Sequence, residues 1–112
     1  MKYAVPVAGG TVCPHFGHCE QFALYDVSED GKEITNIEML TPPAHEPGVL
    51  PAWLAEQGVS RVIAGGMGSR AQNLFTQNRI DVITGVVEED PEKAVMSYIN
   101  GSLETDDNFC DH

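Results

Sequence analysis

The feature that most restricts the fold is a change of hydrophobic period near residue 48. Before it, short β-rich runs follow one another: Tyr3–Ala8 (YAVPVA), Gln21–Val27 (QFALYDV) and Glu33–Leu40 (EITNIEML). In the second run Phe22, Leu24 and Asp26 share one face, and Ala23, Tyr25 and Val27 the other, the period-2 pattern of a strand. The Asp30-Gly31 pair between the second and third runs marks a hairpin turn. Ile34, Ile37 and Met39 alternate imperfectly, which predicts a bulge or early fraying in the return strand. Pro6 has no N–H for a ladder, so it belongs at a bulge or where one side of the strand is unpaired.

After the Pro-rich segment Thr41–Gly48 the pattern alternates between helix and short buried strand. Leu50, Trp53 and Leu54 share a face in a predicted helix over Val49–Gln57, which Gly58 ends. Ser60–Ala64 reads as a buried strand, Ser69–Asn78 as a helix with Ala71, Leu74 and Phe75 inward, and Ile80–Thr84 as another strand. Asp90 and Pro91 open a last helix over Pro91–Asn100, and Gly101 stops it. The order β-loop-β-β then α-β-α-β-α predicts an α/β domain with a mixed five-stranded sheet. The whole domain spans 1–101, and 102–112 reads as an acidic flexible tail carrying Cys110 and His112.

A formal charge of −11, from 17 acidic against 6 basic residues, disfavours nucleic acid and anionic membranes and suits a basic or cationic partner. Three cysteines are too few and odd for a closed disulfide framework. No run reaches membrane length, and the start lacks the long apolar core of a signal peptide. A cytoplasmic protein with reduced thiols is the expectation.

Chemistry concentrates in Cys13-Pro14-His15-Phe16-Gly17-His18-Cys19, with two thiols and two imidazoles in seven residues. Thiolate and imidazole ligate zinc, copper and iron–sulfur centres, and Pro14 and Gly17 bend the chain so that the four need not fan out along a strand. His45 on the Pro-rich loop and the Cys110/His112 pair are further candidate ligands. Gly65-Gly66-Met67-Gly68-Ser69 lies between a predicted strand and helix, where backbone N–H groups can hold an anion. As a plain tight turn the same stretch needs only Ser69 as helix N-cap. It matches neither the P-loop nor the dinucleotide fingerprint. There is no G-x-S-x-G and no evident carboxylate pair, and Glu88-Glu89-Asp90 reads as helix N-terminal charge. Three functions follow from the residues: a non-catalytic metal or metal–sulfur cluster carrier, a structural zinc module for protein interaction, and a thiol redox protein using Cys13 and Cys19.

The chain resembles the dinitrogenase iron–molybdenum cofactor biosynthesis proteins, which include the NifX and NafY carriers, the C-terminal part of NifB and stand-alone small proteins of anaerobes and archaea. The first strand, His15-Phe16-Gly17, Phe22–Val27, Gly65–Ala71 with Phe75, Ile80-Asp81-Val82 and Gly85 carry the resemblance. It implies a ribonuclease-H-like three-layer fold without nuclease activity, and a role in binding iron–molybdenum cofactor, its precursors or another Fe-, Mo- or Cu-containing cluster. It makes His15 the family-like ligand. It also implies an orange-protein-like stand-alone homologue and, as partner, a Mrp/ParA-type ATPase or cluster-assembly protein. Cys13, His18, Cys19 and the Cys110/His112 tail depart from the carrier pattern.

Overall fold

A computed structural model describes residues 1–13, 20–42, 49–103 and 105. The described elements are β1 (Lys2–Ala8), β2 (Thr11–Val12), β3 (Gln21–Val27), β4 (Ile34–Leu40), α1 (Val49–Glu56), β5 (Arg61–Ile63), α2 (Ser69–Gln77), β6 (Asp81–Ile83) and α3 (Pro91–Asn100). The sheet runs β4-β3-β1-β5-β6, with β2 paired to β1. The β1–β3 and β3–β4 pairs are antiparallel, whereas β1–β5 and β5–β6 are parallel. The mixed α/β architecture is therefore as the periodicity predicts. The strand count is corrected from five to six, because Thr11 and Val12 fold back on Ala8 and Val7.

Alternation along each strand sorts the core into two faces. Ala4, Phe22, Leu24 and Val62 pack with Leu50 and Leu54 of α1 and Phe75 of α2. Tyr3, Val5, Ala23, Tyr25 and Ile63 pack with Ala94 and Val95 of α3. Helices α1 and α2 thus cover one face and α3 the other. Each fully buried large side chain contributes on the order of 1.5–3 kcal/mol of apolar transfer. Arg61 ties the second layer to the sheet edge. Its guanidinium lies 5.8 Å from the Tyr3 ring and 5.2 Å from the Tyr98 ring, donates to the Tyr98 hydroxyl, and bonds Asp81 at 2.9 Å.

Local chemistry explains the boundaries. Pro6 pairs with Phe22 on the β3 side. On its other side the β5 ladder stops at Ala4 and β2 begins only at Val7, so the missing N–H falls in a gap. The imperfect alternation of β4 has its cause in a register shift that leaves Thr35 unpaired between Asn36 opposite Asp26 and Ile34 opposite Val27. Pro51 is tolerated in α1 because it sits in the first turn, where N–H groups have no intrahelical acceptor. Asp90 caps α3 by accepting from the N–H groups of Glu92 and Lys93, and Gly101 ends it at φ 75°, a conformation costly for other residues. Ser69 is not the cap of α2: Gly68 is the N-cap and Ser69 the exposed first helical residue. Beyond α3, Leu103 packs on the α3-side core and Thr105 bridges antiparallel to Val86.

Candidate functional site

Two chain reversals meet at the carboxyl ends of β1 and β5. The first begins where Gly9 and Gly10, at φ 61° and 84°, turn the chain from β1 into β2. Such angles suit glycine. Cys13 then donates its N–H to the Pro6 carbonyl at 2.8 Å, and Glu20 donates to the Val7 carbonyl at 2.9 Å. Successive carbonyls of a strand point to opposite sides. The ligand-rich stretch therefore leaves on one flank of β1 and rejoins on the other, pinned at both ends. The Glu20 carboxylate adds a clamp by accepting the Gly9 N–H at 2.7 Å.

The second reversal follows β5. Val86 donates to the Ala64 carbonyl at 3.1 Å and Gly85 to the Gly65 carbonyl at 2.5 Å, which prolongs the β5–β6 pairing into both turns. Gly65, Gly66 and Met67 are buried and Gly68 is half-buried. The Gln72 side chain bonds the Met67 carbonyl at 2.9 Å. Helix α2 starts without a side-chain cap and without an acid in its first turn, unlike the Asp90-capped α3. The positive end of its dipole is thus not neutralised by the protein's own carboxylates at that turn.

Between the reversals lies a cleft of about 380 Å3 lined by Thr11, Val12, Gly65, Val86, Val87, Glu88 and Glu89. The Val12 N–H bonds the Glu89 carbonyl at 2.8 Å and closes one wall. The cleft sits outside the carboxyl ends of parallel strands, the usual ligand position in open α/β sheets. Its rim is acidic. The carboxylates continue onto α3, where burial first, then Glu92 and Asp90, push the Tyr25 hydroxyl up to about 12. The rim therefore suits a cation, while the α2 terminus suits an anion.

Of the expected ligands, Cys13 is described. It is 1% exposed and packs in the α1/α2-side core with Phe22 and Met67. His15, His18, Cys19, His45, Cys110 and His112 lie outside the described residues. Among the described residues no group of three or more His, Cys, Asp or Glu is arranged to hold a metal ion. Of the Gly65–Ser69 turn, Gly65 lines the cleft, whereas Gly66, Met67, Gly68 and Ser69 do not. Thr11, Val12 and Val86–Glu89 line the cleft without belonging to a ligand motif in the sequence. Their only sequence signal is the juxtaposition of acidic residues with a strand end, which the helix N-terminus also explains. The tail is rooted close by, since Thr105 bridges Val86, a cleft residue. No described helix is long and apolar enough to cross a membrane.

The family described as dinitrogenase iron-molybdenum cofactor matches residues 1–101. An uncharacterised protein of Methanocaldococcus jannaschii, MJ0580, is 34% identical over 109 residues, covering 93% of this chain and 90% of its own. The crystal structure of PH0822 superposes with a TM-score of 0.87 at 30% identity, covering 96% of each chain. The apo form of the orange protein from Desulfovibrio gigas superposes at 0.73 with 21% identity, covering 96% of this chain and 93% of that one, a likeness of fold. The chain belongs to the dinitrogenase iron–molybdenum cofactor family.

Proposed function

From that membership and the geometry of the cleft, we propose that the protein is a non-catalytic carrier of a metal or metal–sulfur cluster. Fe-, Mo- and Cu-containing clusters are the cargo class, and transfer to an assembly partner in the cytoplasm is the task. We read the fold as ribonuclease-H-like. The first strand, KYAVPVA, carries no acid that would hold catalytic magnesium. The observation that carries the proposal is the pinning of the ligand-rich stretch. Its two ends hang on the adjacent Pro6 and Val7 carbonyls, and β2 shares the cleft with Gly65.

In this reading His15, His18 and Cys19 reach the cargo from the loop and Cys13 anchors its base. The amides from Gly65 to Ser69 face the negative charge of a sulfide-rich cluster. His45, Cys110 and His112 are supplementary ligands. Soft thiolates suit Cu(I), zinc and iron–sulfur centres, and imidazole suits zinc, copper and iron. Handover to a Mrp/ParA-type ATPase or another assembly protein needs an open site, and a cleft at the strand ends provides one. Protein purified without oxygen is expected to be coloured and to contain iron, molybdenum or copper by elemental analysis, and His15→Ala to lose most of it. Colourless protein that takes up none of these metals would end the proposal.

The burial of Cys13 favours one second reading, a structural zinc that staples the loop. Zinc would then be stoichiometric, and chelation would lower the melting temperature. In the carrier reading the metal-free protein keeps its fold.

A further inference from the structure

Strand β4 is the outermost strand of the sheet, at the opposite edge from β6 and separated from β1 by β3. An edge strand presents a row of backbone donors and acceptors to any extended chain. All five residues from Thr35 to Met39 are exposed. Proline and lysine, common blockers of edge pairing, are absent from ITNIEML. The bulge at Thr35 leaves Asn36–Leu40 in regular register with Phe22–Asp26.

The two faces of this edge differ. Ile37 lies opposite Tyr25 and Met39 opposite Ala23, on the α3 side. They are 46% and 48% exposed, two of the few large apolar side chains on the described surface. Asn36 lies opposite Asp26 and Glu38 opposite Leu24, on the α1/α2 side. The adjoining segment 29–40 holds Glu29, Asp30, Glu33 and Glu38 against Lys32, so −4 and +1 give −3. A second copy would bring that charge, and a total of −11, against its own like. Electrostatics therefore favours an occupant of opposite sign.

We propose that β4 is a docking edge for an extended basic strand of a partner protein. The strand adds to the sheet beside Asn36–Leu40. Its apolar residues, at every second position, cover Ile37 and Met39, and the intervening lysines or arginines face Asn36 and Glu38. Backbone pairing supplies affinity and the alternation supplies specificity.

The probe is an acetylated, amidated Lys-Val alternating heptapeptide, titrated into the full chain. One control is a block peptide of the same composition, and the other an alternating peptide with a central proline. Saturable binding of the alternating peptide is expected, with both controls weaker by roughly tenfold or more. Hydrogen exchange should slow at alternate amides of Asn36–Leu40. Ile37→Lys and Glu38→Lys, both at exposed positions, should each weaken binding by roughly three- to tenfold with thermal unfolding unchanged. Equal binding of all three peptides would show diffuse attraction to an acidic protein and overturn the proposal. So would protection confined to the cleft, or no binding at millimolar peptide. A dimer in sedimentation with β4 amides already protected would assign the edge to a second copy instead.

Discussion

Replacing Cys13 separates packing from ligation at one residue. Its side chain is 1% exposed and lies among Ala4, Phe22, Leu54, Met67 and Phe75. Cys13→Ala removes one buried sulfur, with a transfer loss near 1 kcal/mol. An incompletely collapsed void raises the total to about 1–2 kcal/mol. For a chain of this size that lowers the melting temperature of the metal-free protein by roughly 4–8 °C. His15→Ala, a change outside the described core, should leave the metal-free melting temperature within about 1–2 °C. Both variants should lose most bound metal in anaerobic purification. Differential scanning calorimetry of the chelated protein gives the first quantity and elemental analysis the second. An unchanged melting temperature for Cys13→Ala would refute the core assignment. Full metal content in that variant would refute its role as the buried anchor, leaving the loop imidazoles and Cys19 to account for the cargo.

Asp90→Ala should cost about 1 kcal/mol by freeing the Glu92 and Lys93 N–H groups, read as a lower urea midpoint with an unchanged slope. Tyr25 ionises at about 12, chiefly because it is buried and then because Glu92 and Asp90 face it. The unfolded chain releases that proton near pH 10, so the unfolded state binds fewer protons between pH 10 and 12. Stability should fall across that window, by about 3 kcal/mol at most, and be unaffected below it. A spectrophotometric titration should show a late tyrosine that Tyr25→Phe removes; a titration curve whose late part survives Tyr25→Phe would refute the assignment.

The elements legible in the sequence are those with local causes. The β3–β4 hairpin followed from Asp30-Gly31 and the alternation of QFALYDV, and its bulge from the broken alternation of EITNIEML. The α3 boundaries followed from Asp90, Pro91 and Gly101. Strand β2 was not legible, because two residues carry no period and a Gly-Gly turn precedes them. Its existence depends on tertiary hydrogen bonds to β1 and Glu89. The shift of the α2 cap from Ser69 to Gly68 has a similar cause. Serine is the better capper in isolation, but the turn after β5 sets where the helix begins. Ligand density points to Cys13–Cys19 and the strand-to-helix turn to Gly65–Ser69, of which Gly65 alone lines the cleft. The acidic wall at Glu88 and Glu89 required the packing of Val12 against Glu89 to be seen as part of the same cleft.

That cleft poses an electrostatic choice that one substitution can decide. Gly68 is the N-cap of α2 at φ −65°, ψ 153°, the extended geometry a capping residue adopts. A Cβ added there meets nothing within 4 Å. Gly68→Asp should therefore fit and accept from the first-turn N–H groups, which have no side-chain cap. Capping gains a few tenths of a kcal/mol over glycine, and the charge–dipole interaction adds about 0.3–1 kcal/mol. The metal-free protein should thus become more stable by about 1 kcal/mol. The same carboxylate occupies the amides assigned to an anionic cargo and repels it. Binding of tetrathiomolybdate, measured by visible titration at fixed salt, should weaken by roughly tenfold or more. Zinc binding should hold, since Glu88 and Glu89 are unchanged. A raised melting temperature with unchanged tetrathiomolybdate affinity would separate Gly65–Ser69 from the cargo and leave the acidic cleft as a cation site.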